Sequence, residues 1–201
     1  MGVYDNTVLV MMADGFEEIE ALTVVDLLRR ASIDVKMVSI YGNNNDRDDK
    51  YVVKGARGIS VVTDTCIDDS FIVDVFGSDV PVFVLPGGMP GTTNLKNDKN
   101  VETLIMDQFN KGRYVAAICA APTVFGTYGI LDGKKATCYP GCEEGLGDAE
   151  AITDGTTVVV DGNIITSRGM GTAIDFSLKL IEILKDKETA DKIGISVVYN
   201  I

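Results

Sequence analysis

The chain has 201 residues, 46% of them hydrophobic, and its 18 Lys and Arg against 30 Asp and Glu leave a net charge of −12. That is enough chain for one domain, 1–201, with a sizeable core, while the acidic field makes phosphate backbones and anionic membranes poor partners. With no histidine anywhere, Ser-His-Asp and Cys-His pairs are excluded and the commonest metal ligand is missing, so any catalysis must run on carboxylates, thiols, tyrosines, lysines, backbone amides or a bound cofactor.

The first apolar run, Thr7 to Met12, has no basic segment before it and no small-residue cleavage site after it, so it reads as a first β-strand and not as a signal peptide. A helix is predicted from Glu17 to Ala31, with Glu17, Glu18 and Glu20 near the positive end of its dipole and Arg29 and Arg30 near the negative end. A strand at Val35 to Ile40 follows. Residues Gly42 to Lys50 are polar and turn-rich, and are expected to form an exposed hairpin or loop. Further strands are predicted at Val82 to Leu85, Val115 to Ile118, Val158 to Val160 and Ile164 to Thr166, and helices at Asn100 to Lys111, Ala120 to Gly129, Gly171 to Lys185 and Glu188 to Ile193. Runs of Val and Ile that are continuous instead of alternating indicate strands buried on both faces. Their alternation with helices predicts an α/β fold, a doubly wound, mostly parallel sheet sandwiched by helices.

No apolar stretch approaches the ~18 residues that span a bilayer, so the expectation is a soluble, cytoplasmic protein. Its four cysteines, Cys66, Cys119, Cys138 and Cys142, then read as reduced thiols, and Cys138 with Cys142 is too small a set for structural zinc.

In open parallel sheets ligands bind beyond the carboxyl ends of the strands. Three candidate segments fall there: Ala13 to Glu20, Leu85-Pro86-Gly87-Gly88 and Ala116 to Pro122; Thr166 to Gly169 ends another strand and reads as an ordinary loop. Cys119 closes an apolar strand and precedes small residues and a proline, the setting in which a thiol is lifted onto a tight turn above a helix N-terminus and its pKa falls. The same residue can equally be a small buried hydrophobe. Gly87 and Gly88 can supply backbone N–H groups to a developing oxyanion or form an ordinary turn.

Taken in order, GFEEIEALTVVDLLRRA, VFVLPGGMPGTTNL, VAAICAAPTVFG and TSRGMGTAIDFSLKLIEIL resemble the ThiJ/PfpI superfamily and its Parkinson-disease-associated deglycase branch, the DJ-one proteins. The resemblance covers almost the whole chain and implies a flavodoxin-like, class I glutamine-amidotransferase-like fold. It makes Cys119 the oxidisable, nucleophilic cysteine and Glu20 the carboxylic acid that hydrogen-bonds it. Gly87, Gly88 and Ala120 would line the anion pocket with N–H groups, and Arg30 and Arg57 would lie near the pocket and a subunit interface. A homodimer is expected. Where many members carry a histidine this chain has Tyr139, so an imidazole mechanism is not available, and Glu20 is the better acid or base and Tyr139 the weaker.

The resemblance implies a cofactor-independent glyoxalase or deglycase acting on methylglyoxal-type dicarbonyls or early glycation adducts. The alternative is a redox-responsive, stress-protective protein or chaperone that senses peroxide through oxidation of Cys119. A cysteine peptidase is disfavoured by the missing histidine, and no metal is called for.

Overall fold

A computed structural model describes residues 2–43 and 49–199. β1 (Thr7–Met12) is buried along its whole length. α1 (Glu18–Arg30) is capped by the Glu17 carboxylate, which accepts from the Glu20 N–H at 2.7 Å. β2 (Asp34–Ser39) follows, then a hairpin of β3 (Val52–Lys54) and β4 (Ser60–Val62), then β5 (Thr65–Cys66) and α2 (Asp69–Phe76). β6 (Val82–Leu85) leads through α3 (Gly91–Asn97) and α4 (Lys99–Asn110) to β7 (Tyr114–Ile118) and the short α5 (Pro122–Thr127). A two-stranded pair, β8 (Lys135–Ala136) and β9 (Glu150–Ala151), precedes β10 (Val158–Asp161), β11 (Ile164–Ser167), α6 (Ala173–Leu184) and α7 (Lys187–Ser196).

Seven strands form one sheet in the order β10-β11-β7-β6-β1-β2-β5, parallel except for the β10–β11 pair. Leu9 and Met11 of β1 face one buried layer, with Phe83, Val115 and the helical Leu104 and Phe125. Val8, Val10 and Met12 face the other, with Val24 and Leu28 of α1 and Phe176 and Leu180 of α6. This two-sided burial is why the strands read as unbroken apolar runs. Each large side chain so withdrawn from water contributes ~1.5–3 kcal/mol. No helix of the described residues is long and apolar enough to cross a membrane.

The predicted strands fall within a residue of the observed ones, and the first helix differs only at its caps. Not predicted were the β3–β4 hairpin, β5, α2, α3 and the short β8–β9 pair. The helix expected from Ala120 to Gly129 shrinks to six residues. Of the loop expected at Gly42 to Lys50, residues 44–48 lie outside the described residues.

From β1 the chain winds outward through β2 and β5, and from β6 it winds the opposite way through β7 and β11. The crevice at the carboxyl ends of β1 and β6 is therefore the topological switch point, where such sheets bind ligands.

Candidate functional site

Four neighbouring strands, β1, β6, β7 and β11, deliver their carboxyl-end segments to this crevice. β7 ends at Ile118, and Cys119 turns the chain with φ +66°, a left-handed conformation that costs a side-chain-bearing residue about 1 kcal/mol or more. Neighbours hold it there: the Cys119 N–H donates to the Ser167 carbonyl at 3.0 Å, and its carbonyl accepts from the Tyr139 N–H at 2.8 Å. The thiol is thus presented at a sharp strand-to-helix turn, as the local sequence suggests.

Glu20, in the first turn of α1, is 1% exposed. Its Oε2 accepts from the Gly87 N–H at 2.9 Å, while its Oε1 is buried with no hydrogen bond of good geometry. A buried acceptor without a donor is where a proton resides most cheaply. Burial pushes the Glu20 carboxyl up to about 7; the Glu17 carboxylate adds to the rise, and the Cys119 thiol and the Gly87 and Met170 N–H groups oppose it.

Cys119 departs from expectation. Burial first, then the Glu20 carboxylate, push its thiol up to about 12, against a smaller pull from the Ala120 and Gly88 N–H groups. Thiol and carboxyl titrate as a pair: one proton leaves near 7 and the other near 12, and between those values a single proton is held between sulfur and carboxyl.

A cavity of about 590 Å³ opens above the pair. Gly88, Ala120, Tyr139 and Arg57 line it, with Met89, Met170 and Cys142. Gly88 and Ala120 turn their N–H groups to the sulfur, but the Gly87 N–H is committed to Glu20, which removes it from the expected set of anion donors. Arg57 stands on the β3–β4 hairpin, whose tip is tied to α1 by the Arg57 N–H donating to Glu18 Oε1 at 2.7 Å. Tyr139 sits half-exposed at the rim. Arg30 is not brought to the cavity; it ends α1, paired with Asp26 at 2.8 Å, ten residues and ~15 Å of helix beyond Glu20. Among the described residues, no group of three or more His, Cys, Asp or Glu side chains could hold a metal ion.

Sequence reasoning missed Gly169. A Cβ there would lie 3.4 Å from the Tyr139 ring and 3.9 Å from both Cys119 Sγ and Glu20 Oε1, so Gly169 lies against the thiol–carboxyl pair. Its only signal was its place after a strand.

Gly87 is tighter still. A Cβ on it would lie 2.6 Å from the Cys119 Cβ, which the elbow holds in place, and 2.7 Å from Glu20 Oε2. Gly87→Ala is expected to destabilise the fold by about 1–3 kcal/mol and to push Glu20 from the thiol. A urea midpoint equal to that of the unmodified protein would overturn this.

A single cysteine raised on a strained elbow at the head of a doubly wound sheet, with a buried carboxyl beside it, defines the class of α/β protein to which this chain is to be compared. The sequence matches the DJ-1/PfpI family over residues 6–183, and the chain belongs to that family. It is 41% identical over 195 residues to Protein DJ-1 homolog A of Arabidopsis thaliana, covering 96% of this chain but 47% of that relative, so the chain spans about half of that protein's length. The crystal structure of Drosophila melanogaster DJ-1beta superposes with a TM-score of 0.87 at 35% identity, covering 98% of this chain and all (100%) of that one. A Caenorhabditis elegans relative named glutathione-independent glyoxalase DJR-1.2 is 28% identical over 193 residues, covering 96% of each chain.

Proposed function

We propose that this protein is a cofactor-independent glyoxalase or deglycase that converts methylglyoxal-type dicarbonyls, or the adducts they form, to hydroxy acids. The observation that carries the reading is the pairing of Cys119 with the buried Glu20 carboxyl, both lining a cavity of about 590 Å³. The name of the C. elegans relative supports the substrate class.

With one proton on the pair, the Glu20 carboxylate takes it from the Cys119 thiol, which leaves a thiolate facing the Gly88 and Ala120 N–H groups. It adds to the aldehyde carbon, and the oxygen of the resulting hemithioacetal takes the proton from Glu20. The carboxylate then removes the hydrogen from that carbon and returns it to the neighbouring one, while the hydroxyl proton of the hemithioacetal passes to the former ketone oxygen, which reduces the ketone carbon to an alcohol and leaves a thioester on Cys119. Water cleaves the thioester, releasing lactate from methylglyoxal and restoring the thiol. All proton transfers run through one carboxyl group, so no imidazole is required. Arg57 at the rim offers a cation to the carboxylate of the product.

Proton NMR of the purified protein with methylglyoxal, without glutathione, tests the reading. Lactate is expected to grow in well above the rate of protein-free buffer; disappearance of methylglyoxal without lactate would mean scavenging by thiols and arginines, and would overturn it.

A further inference from the structure

A second thiol shares the cavity with Cys119. Cys142 is half-buried and lines the same space, and two backbone hydrogen bonds tie it to the elbow: the Tyr139 N–H to the Cys119 carbonyl at 2.8 Å, and the Cys142 N–H to the Tyr139 carbonyl at 2.9 Å. The turn between them is Tyr139-Pro140-Gly141-Cys142, with Gly141 at φ +96°, the position at which a type II turn needs glycine. Tyr139, Pro140 and Gly141 are exposed, so the turn can move without opening the core.

Cys138 stands differently. It is 4% exposed, its Sγ contacts the Tyr139 carbonyl oxygen at 3.5 Å, and it lines a separate cavity with Thr137 and Arg168. Cys142 lies close enough to act electrostatically on Cys138, but of the two only Cys142 lines the cavity of Cys119.

We propose that Cys142 is the resolving thiol of Cys119: once a hydroperoxide has oxidised Cys119 to the sulfenic acid, Cys142 attacks that sulfur and closes a Cys119–Cys142 disulfide. In the first step the Cys119 thiolate attacks one peroxide oxygen, the O–O bond breaks, sulfur loses two electrons, and the other oxygen leaves as water or an alcohol after taking a proton. In the second the Cys142 sulfur displaces hydroxide from Cys119, which departs as water with the proton that Cys142 gives up. A thiol held in the same cavity competes as an intramolecular partner against a second peroxide molecule, which would drive Cys119 irreversibly to the sulfinic acid. An external dithiol reverses the disulfide by exchange. The inference goes beyond dicarbonyl turnover and shares with it only a reactive Cys119.

The test is non-reducing peptide mapping of the full chain after several molar equivalents of hydrogen peroxide, for the unmodified protein, Cys142→Ser and Cys138→Ser. The expected result is a Cys119–Cys142 cross-linked peptide, reversed by dithiothreitol, in the unmodified protein and in Cys138→Ser. In Cys142→Ser, Cys119 is expected instead to gain two oxygen atoms. Equal gain of two oxygens at Cys119 in the unmodified protein and Cys142→Ser would overturn the proposal, as would a Cys138–Cys142 link with Cys119 untouched. Either result leaves the dicarbonyl reading standing, whereas a Cys119 inert to peroxide in every variant would sink both.

Discussion

Cys119→Ser is expected to lower the rate of lactate formation from methylglyoxal by a factor of about 1,000 or more. Serine keeps the size, the elbow and the hydrogen-bonding capacity of the side chain, so folding is spared. What it loses is acidity and softness: a hydroxyl does not ionise beside a buried carboxyl that already holds its own proton up to about 7. The remaining N–H groups of Gly88 and Ala120 can polarise a bound carbonyl but have nothing to add to it. Lactate followed by NMR, with thermal unfolding of the same sample as a control, decides the matter. Turnover within tenfold of the unmodified protein would remove Cys119 from the chemistry.

Glu20→Gln is expected to cost about 100- to 10,000-fold in turnover, because an amide can donate to sulfur but cannot take a hydrogen from carbon. A second readout separates this role from a structural one. The Glu20 carboxyl has its folded value raised to about 7 from an ordinary 4.5. The stability it contributes as a neutral group is therefore full below about pH 4.5 and is lost as pH rises through about 7. At ~1.4 kcal/mol per unit the loss is on the order of 3 kcal/mol at most, and sharing of the proton with Cys119 reduces it. Urea midpoints at pH 5 and pH 8 should thus fall more steeply for the unmodified protein than for Glu20→Gln; parallel curves would mean that Glu20 is not protonated in the fold. The unmodified protein's kcat/KM should rise with pH through about 7, where the pair sheds its first proton, and that limb should vanish in the variant.

Much of the architecture was legible in the sequence because the central strands are covered on both faces, and Val8 to Met12 has no polar residue to confuse the reading. Cys119 was legible for the same reason: a thiol after four buried apolar residues and before Ala-Ala-Pro has few places to go. Glu20 was not legible from pattern alone. Glu17, Glu18 and Glu20 crowd one helix start, and only packing distinguishes the half-buried carboxylate that caps α1 from the two fully buried ones, Glu18 at 2% and Glu20 at 1% exposed. The family resemblance chose Glu20, and the Gly87 N–H gives the choice a physical reason.

What stayed hidden depended on contacts distant in sequence. The β3–β4 hairpin has three-residue strands and no Asn-Gly turn, and its tip is held by Glu18, 39 residues earlier. α3 opens Gly-Thr-Thr-Asn, a poor helix former. The thiol's acidity was misjudged because a strand-to-helix turn shows in sequence, whereas the burial of the thiol and the carboxyl packed beside it do not.

The left-handed backbone at Cys119 bears on how such a protein behaves under selection. Glycine is the residue that adopts φ +66° without strain, so the substitution that most relieves the fold at this position is also the one that deletes the thiol. A library screened for heat resistance alone would drift toward glycine at position 119 and discard the chemistry as an incidental gain in stability, whereas one screened for turnover would keep the strain in place.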